Sequence, residues 1–392
     1  MKILRKNSFV KLLCLSLVFV ILSINLVGCG AKPAAKTEVI KIGYVGALSG
    51  ESAVWGQAGL NGMKLTAKDL NAKGGILGRQ VEIVGLDGRG LPLDSVNAYN
   101  KLVDQDKVIA VVGTNFSSCN IPMAAVADQK KVPLIGTAAS NPKVTVDENG
   151  VLHPYSFRIG FIDPFQGAAL AGYATKELKA KTAAIITDIG SDYSTGLTDF
   201  FVKSFEANGG KVAIKVQAHS GDNDFRAQLS NIAPLKPDVI LIPWIYKDVA
   251  LIANQARELG IKSIFLGGDG WDSKELLTMA GPALEGCFYT SQPSFANPIT
   301  KPYYDSYMAE YKLAPETEAL FGNDGLLWIA DAVTRAGKVD PVALRQALEE
   351  TTKFQGLLGI MNVDPKTHNP SKACSIYTIK KSQFGYVGDF TP

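Results

Sequence analysis

Several of the residue patterns that announce an enzyme or a metalloprotein are missing from this chain. Histidine occurs only three times in 392 residues, at His153, His219 and His368, far apart in sequence and without metal-binding spacing. The five cysteines form no CxxC pair, which argues against structural zinc. No serine has glycine two positions before and two after it, and no GxxxxGK phosphate loop occurs. Gly85-Leu86-Asp87-Gly88-Arg89-Gly90 has the wrong spacing for a dinucleotide fingerprint. Beyond the first residues there is no run rich in lysine and arginine, so nothing points to nucleic acid. Long stretches of Gly, Pro and Ser are absent from the middle of the chain, so it does not divide into beads on a linker. These absences disfavour an enzyme, a metal site and an organic cofactor.

What is present begins with a leader. Lys2, Arg5, Lys6 and Lys11 precede an apolar stretch from Leu12 to Val27, the pattern of an export signal. Leu26-Val27-Gly28-Cys29 resembles the lipobox of bacterial lipoproteins. That resemblance implies cleavage before Cys29, lipid on its sulfur and an acylated amino terminus. Two or three acyl chains anchor stably where one does not. The expected signal covers residues 1–28, and 29–39 is a small, polar tether. Cleavage leaves 364 residues with 36 basic and 37 acidic side chains, so the apparent basicity belongs to the leader. A chain of that size usually forms two domains. The remaining cysteines, Cys119, Cys287 and Cys374, are odd in number, and the sequence does not choose a disulfide among them.

From Ile40 onward, near-continuous Val/Ile/Leu runs alternate with helical patterns. Ile40 to Leu48, Val81 to Leu86, Val108 to Val112, Val132 to Ile135, Ala183 to Thr187, Val239 to Ile242 and Ser263 to Leu266 read as strands covered on both faces. In Trp55 to Asn71, Leu60, Met63, Ala67 and Leu70 share one helix face, and Gly74-Gly75 follows. Val249 to Leu259 ends at Gly260 in the same way. This alternation predicts an α/β fold of doubly wound parallel sheets. Ten to twelve strands are too many for one comfortable sheet, so two lobes are expected. Crossings are placed near Ser156, Ser291 and Met361. Lobe 1 then comprises 40–156 plus 292–361, and lobe 2 comprises 157–291 plus 362–392.

Ligands of open α/β sheets sit beyond the carboxyl ends of the strands. The loops there carry Trp55, then Asn115-Phe116-Ser117-Ser118, then Thr137-Ala138-Ala139-Ser140-Asn141. The second half contributes Asp188 to Tyr193, Trp244-Ile245-Tyr246 and Gly267-Gly268-Asp269-Gly270-Trp271. A helix starting near Asn120 would offer free N–H groups and a positive dipole end, with hydroxyls of Ser117, Ser118 and Ser140 beside it. Such a seat suits a carboxylate. The alternative is that these serines only cap helices. Asp269, in a Gly-rich loop, could take an ammonium group or close a local turn. Trp55, Tyr193, Tyr246 and Trp271 could form an apolar wall, or act as packing staples.

Four stretches together resemble the type I periplasmic binding proteins, in the branch of leucine/isoleucine/valine receptors of ABC importers. They are Ile42 to Gly50, Asn71 to Gly78, Phe165 to Ala168 and Gln255 to Gly260. The resemblance implies two α/β lobes joined by three crossings, with the ligand clamped between them. It implies carboxylate contacts at Ser117 and Ser140, a backbone contact at Ala138, an ammonium contact at Asp269, and aromatic contacts at Trp55, Tyr193 and Tyr246. Phe116 stands where some relatives carry a disulfide cysteine. The expectation is therefore a monomeric, lipid-anchored receptor at the outer face of the cytoplasmic membrane. It would bind a small amino acid and hand it to an ABC permease. The alternatives are a receptor for an aromatic acid, amide or urea, and a sensor subunit.

Overall fold

The computed structural model describes residues 38–295 and 298–390. The expected signal, Cys29 and most of the tether lie outside these residues. The first sheet is built from β1 (Ile40–Gly46), α1 (Ala53–Ala72), β2 (Val81–Asp87), α2 (Pro92–Lys101), β3 (Val111–Val112), α3 (Ser117–Lys130), β4 (Leu134–Gly136) and β5 (Ser156–Arg158). Its strands are all parallel in the order β2-β1-β3-β4-β5. β5 pairs with β4 through Arg158, so the first sheet runs past the crossing expected at Ser156.

The second sheet follows from α4 (Asp163–Lys176), β6 (Thr182–Asp188), α5 (Asp192–Ala207), β7 (Lys211–Ala218), α6 (Arg226–Ile232), β8 (Val239–Leu241), α7 (Tyr246–Glu258), β9 (Ile264–Gly267), α8 (Lys274–Ala280) and β10 (Phe288–Ser291). The chain then returns to the first lobe with α9 (Lys301–Tyr311), α10 (Glu318–Ala336), α11 (Pro341–Glu349) and the hairpin β11 (Phe354–Gly356) and β12 (Gly359–Met361). It ends in β13 (Cys374–Lys380) and β14 (Gln383–Phe390), which extend the second sheet as β14-β13-β10-β9-β8-β6-β7. These last two strands are antiparallel to their neighbours. The fold is α/β with two mainly parallel sheets, as the alternation requires, plus an antiparallel edge that no hydrophobic run announced.

Each sheet is buried by helices on both faces. Ile42, Val112, Ile135 and Phe157 of the first sheet share a core with Met63 of α1 and Leu326, Trp328 and Ile329 of α10. Ile186, Ile240 and Phe265 of the second pack with Ile252 and Ala256 of α7 and Leu276 of α8. Cys119, Cys287 and Cys374 are all buried free thiols. Among the described residues no helix is long and apolar enough to cross a membrane.

The contact between α1 and α10 depends on small residues. A Cβ at Gly62 would run into the Ala319 carbonyl, and one at Gly322 into the carbonyl of Gly59. Backbone-to-backbone approach of this kind leaves no room for a methyl group. It fixes the first turn of α10, where Glu318 sits. Gly62→Ala should therefore lower the stability to urea by roughly 1–3 kcal/mol. An unchanged midpoint in equilibrium unfolding would show that the helices can separate at no cost.

Candidate functional site

The carboxyl ends of the strands of both sheets face one cleft of about 400 Å³. One wall comes from the start of α3. This helix begins at Ser117, earlier than the start expected near Asn120. Phe116 forms its extended N-cap, with φ −94° and ψ 121°. The Phe116 N–H is taken by the Thr114 hydroxyl at 2.9 Å, while its carbonyl accepts from the N–H groups of Cys119 and Asn120 at 3.1 and 3.0 Å. Ser117 and Ser118 are thus the first two helical residues. Their N–H groups make no hydrogen bond within the described protein, as expected at a helix start. The Ser117 Oγ accepts from the Asn141 N–H at 3.2 Å, which leaves its own hydrogen available.

Trp55, in the first turn of α1, lies on the same side of the cleft. Its indole N–H donates to the Asp272 carbonyl at 3.3 Å, from one lobe to the other. Tyr246 packs edge-on behind it, with ring centroids 4.9 Å apart. The Tyr246 hydroxyl donates to the Glu51 carbonyl at 2.9 Å, also between lobes. Two further bonds tie the lobes at the opposite rim. The Asp192 N–H donates to Ser118 Oγ at 3.1 Å, and the Asn141 side-chain amide donates to the Asp192 carbonyl at 2.6 Å.

Asp269 enters from the second lobe. Its Oδ1 accepts from Gln166 Nε2 at 3.1 Å, and its N–H donates to Gln166 Oε1 at 3.0 Å. Its Oδ2 is buried without a hydrogen bond. Burial raises its carboxyl pKa from 3.8 to about 7, against the opposing interactions with Gln166 and the Tyr193 hydroxyl. Tyr193 stands beside it, its hydroxyl accepting from the Gly270 N–H at 3.2 Å. Glu318, at the start of α10, reaches the same cleft. Burial holds its carboxyl well above the usual range, and the nearby Asp269 charge adds to the shift.

Of the residues expected to contact a ligand, Trp55, Ser117, Ala138, Tyr193 and Asp269 line the cleft. Ser140, Tyr246 and Trp271 do not line it. Ser140 is buried, and its hydroxyl makes no hydrogen bond. Tyr246 is the support behind Trp55. Trp271 is fully buried, its indole N–H given to the Ile242 carbonyl at 2.9 Å. Arg158 shapes the Ala138 loop from beneath, donating to the carbonyls of Ala139 and Asn141 at 2.8 and 2.7 Å. Arg158, Gln166 and Glu318 carried no sequence signal as site residues. Glu318 follows no strand and reads as an ordinary acid in a helix's first turn. Among the described residues no group of His, Cys, Asp and Glu could hold a metal ion.

A family model described as periplasmic binding protein matches residues 39–383. The chain belongs to the periplasmic binding protein family. It is 30% identical to an amino acid binding protein of Pseudomonas aeruginosa, over 86% of this chain and 89% of the other. The leucine binding protein LivK of Thermotoga maritima is 34% identical with a TM-score of 0.83, covering 90% of this chain and 99% of that one. The branched-chain amino acid transporter substrate binding protein LivJ of Streptococcus pneumoniae, solved with isoleucine, is 30% identical with a TM-score of 0.82. That match covers 91% of this chain and all of the other.

The raised carboxyl of Asp269 has a consequence for stability. The folded protein keeps a proton that the unfolded chain releases near pH 4. The resulting destabilisation builds up between about pH 4 and the folded value of about 7, and is complete above it. Asp269→Asn removes it and retains the acceptor for Gln166. The ligand-free variant should melt a few degrees higher than the parent at pH 8, with little difference at pH 4. Equal melting curves at pH 8 would mean that Asp269 is ionised without penalty.

Proposed function

We propose that this protein is the lipid-anchored receptor of an ABC importer, and that it binds a branched-chain amino acid between its lobes. The observation that carries this reading is the polarity of the cleft. One wall presents free N–H groups and serine hydroxyls, and the other presents a carboxylate with an unpartnered oxygen. An α-amino acid carries the complementary charges on one carbon. Its carboxylate would sit at the start of α3, accepting from Ser117 and the helix N–H groups. Its ammonium would face Asp269, and its side chain would lie along Trp55 and Tyr193. The LivK and LivJ relatives, named for leucine and branched-chain amino acids, support that ligand class. A ligand without an amine would leave Asp269 facing it uncompensated, which disfavours an aromatic acid, an amide or urea.

Closure would follow from the ligand bridging the two walls. The first lobe offers the anion seat, and the second brings Asp269 and Tyr193 over it. Each charge contact strengthens as water leaves. The bonds from Trp55 to Asp272 and from Asp192 to Ser118 then hold the lobes together. The closed receptor would be read by membrane permease subunits.

A thermal-shift screen of the twenty amino acids tests the ligand class, with leucine, isoleucine and valine expected to give the largest shifts. A hydrogen bond to a charged group is worth about 1.5–3 kcal/mol. Ser117→Ala should accordingly weaken the best amino acid roughly ten- to a hundredfold, and its amidated analogue far less. A cap that serves only the helix would instead give lower ligand-free stability and equal losses for acid and amide. For the anchor, Cys29→Ser should move the exported protein from the membrane to the soluble fraction. Continued membrane attachment would rule out lipidation at Cys29.

A further inference from the structure

Beside the main cleft, at the end of β10 where the chain crosses back to the first lobe, lies a chamber of about 20 Å³, enough for one water-sized group. Trp55, Ala138, Asp269 and Glu318 line both spaces, so the chamber is a continuation of the cleft. Asp272 and Gln292 close its far side. Gln292 is 1% exposed, and neither its Oε1 nor its Nε2 makes a hydrogen bond. A buried amide with both ends unpartnered is rare, because each unpaired group carries its full desolvation penalty. The Oδ2 of Asp269 is in the same condition.

The chamber also lacks positive charge. Among the described residues no ion pair reaches Asp269, Asp272 or Glu318. Asp272 is satisfied by the Ser291 hydroxyl at 2.6 Å. Lys274, a neighbouring cation, gives its ammonium to the Pro315 carbonyl at 3.3 Å and lies over the Tyr304 ring. Carboxyl groups without a cationic partner and an unpartnered amide therefore border a space the size of one small group, at the end of the cleft where Asp269 stands.

We propose that Glu318 and Gln292 join Asp269 in seating the ligand's ammonium group, and that Glu318 makes the receptor selective for free amines. The inference rests on the amino-acid reading above and extends it to residues on the hinge side. A primary ammonium has three N–H donors, which suits two carboxylates and an amide oxygen arranged around one position. Burying a second acid in so small a space is costly until a cation arrives, and that cost is the source of the selectivity. The groups facing Glu318 are Thr137, Asp269, Asp272 and Glu316, with Tyr44 on the first strand. Three of them are carboxyls and none is a cation, so an arriving ammonium displaces a proton from the cluster.

The test uses Glu318→Gln, which keeps the shape, with L-leucine and its 2-hydroxy analogue as probes. Glu318→Gln should weaken L-leucine at least tenfold at pH 7 and change the hydroxy acid by less than about threefold. Titration of the parent in two buffers of different ionisation enthalpy should show proton release with L-leucine, reduced in the variant. Gln292→Met keeps every charge and removes only the amide. It should also weaken L-leucine, and it carries the test if Glu318→Gln does not fold. Parent-like affinity for L-leucine in a folded variant of either residue overturns the proposal and leaves the amino-acid reading standing. If the parent shows no shift with any of the twenty amino acids, the amino-acid reading fails and this proposal fails with it.

Discussion

A cluster of buried carboxyl groups with no ion-pair partner, gathered where the lobes meet, is the constraint on which the rest of the cleft depends. Asp269, Asp272, Glu316 and Glu318 approach one another near the hinge, and burial drives their carboxyls toward the neutral form. A fold selected for stability alone would place a lysine or an apolar side chain there. Retaining these acids stores unfavourable free energy that a cationic ligand group relieves. The glycine contact between α1 and α10 holds Glu318 in this position, and the Gln166 amide holds Asp269. Rigid support is what keeps like charges close, since mobile side chains would swing apart.

The opposite wall solves the complementary problem by other means. It carries no cation, only helix N–H groups and hydroxyls. Those donors lie at the start of α3, whose Phe116 cap is secured by Thr114. A neutral anion seat beside an acidic pocket avoids an internal ion pair that would close the site by itself. The cleft can then discriminate by charge separation within the ligand. Several hydrogen bonds between the lobes run through backbone groups, including those to Asp272, Glu51 and Asp192. Such bonds depend on where the loops are rather than on which side chains the loops carry.

The leucine and branched-chain amino acid binding proteins among its relatives share the overall fold with this chain. The acidic chamber depends instead on four particular side chains, Asp269, Asp272, Gln292 and Glu318. These come from three segments separated by long stretches of sequence. Ligand preference can therefore change by substitution at a few hinge-side positions while the architecture stays constant.

Much of the architecture was legible in the residues themselves. Parallel strands buried on both faces need continuous Val/Ile/Leu runs, and helices between them need apolar residues at helical spacing, so β1 to β4, β6, β8 and β9 could be read directly. β7 was not, because its outward residues Lys211, Ala213, Lys215 and Gln217 are exposed and break the apolar run. The antiparallel β13 and β14 were hidden because nothing local tells a strand which sheet it will join. The loops beyond the strands also named most of the cleft: Trp55, Ser117, Ala138, Tyr193 and Asp269. Sequence could not say that Ser140, Tyr246 and Trp271 stay outside the cleft lining, since neighbouring side chains diverge by the full width of the backbone. Nor could it bring Glu318 and Gln292 to Asp269. Their desolvation, and with it their chemistry, arises only when helix α10 packs on α1 and the two lobes enclose them.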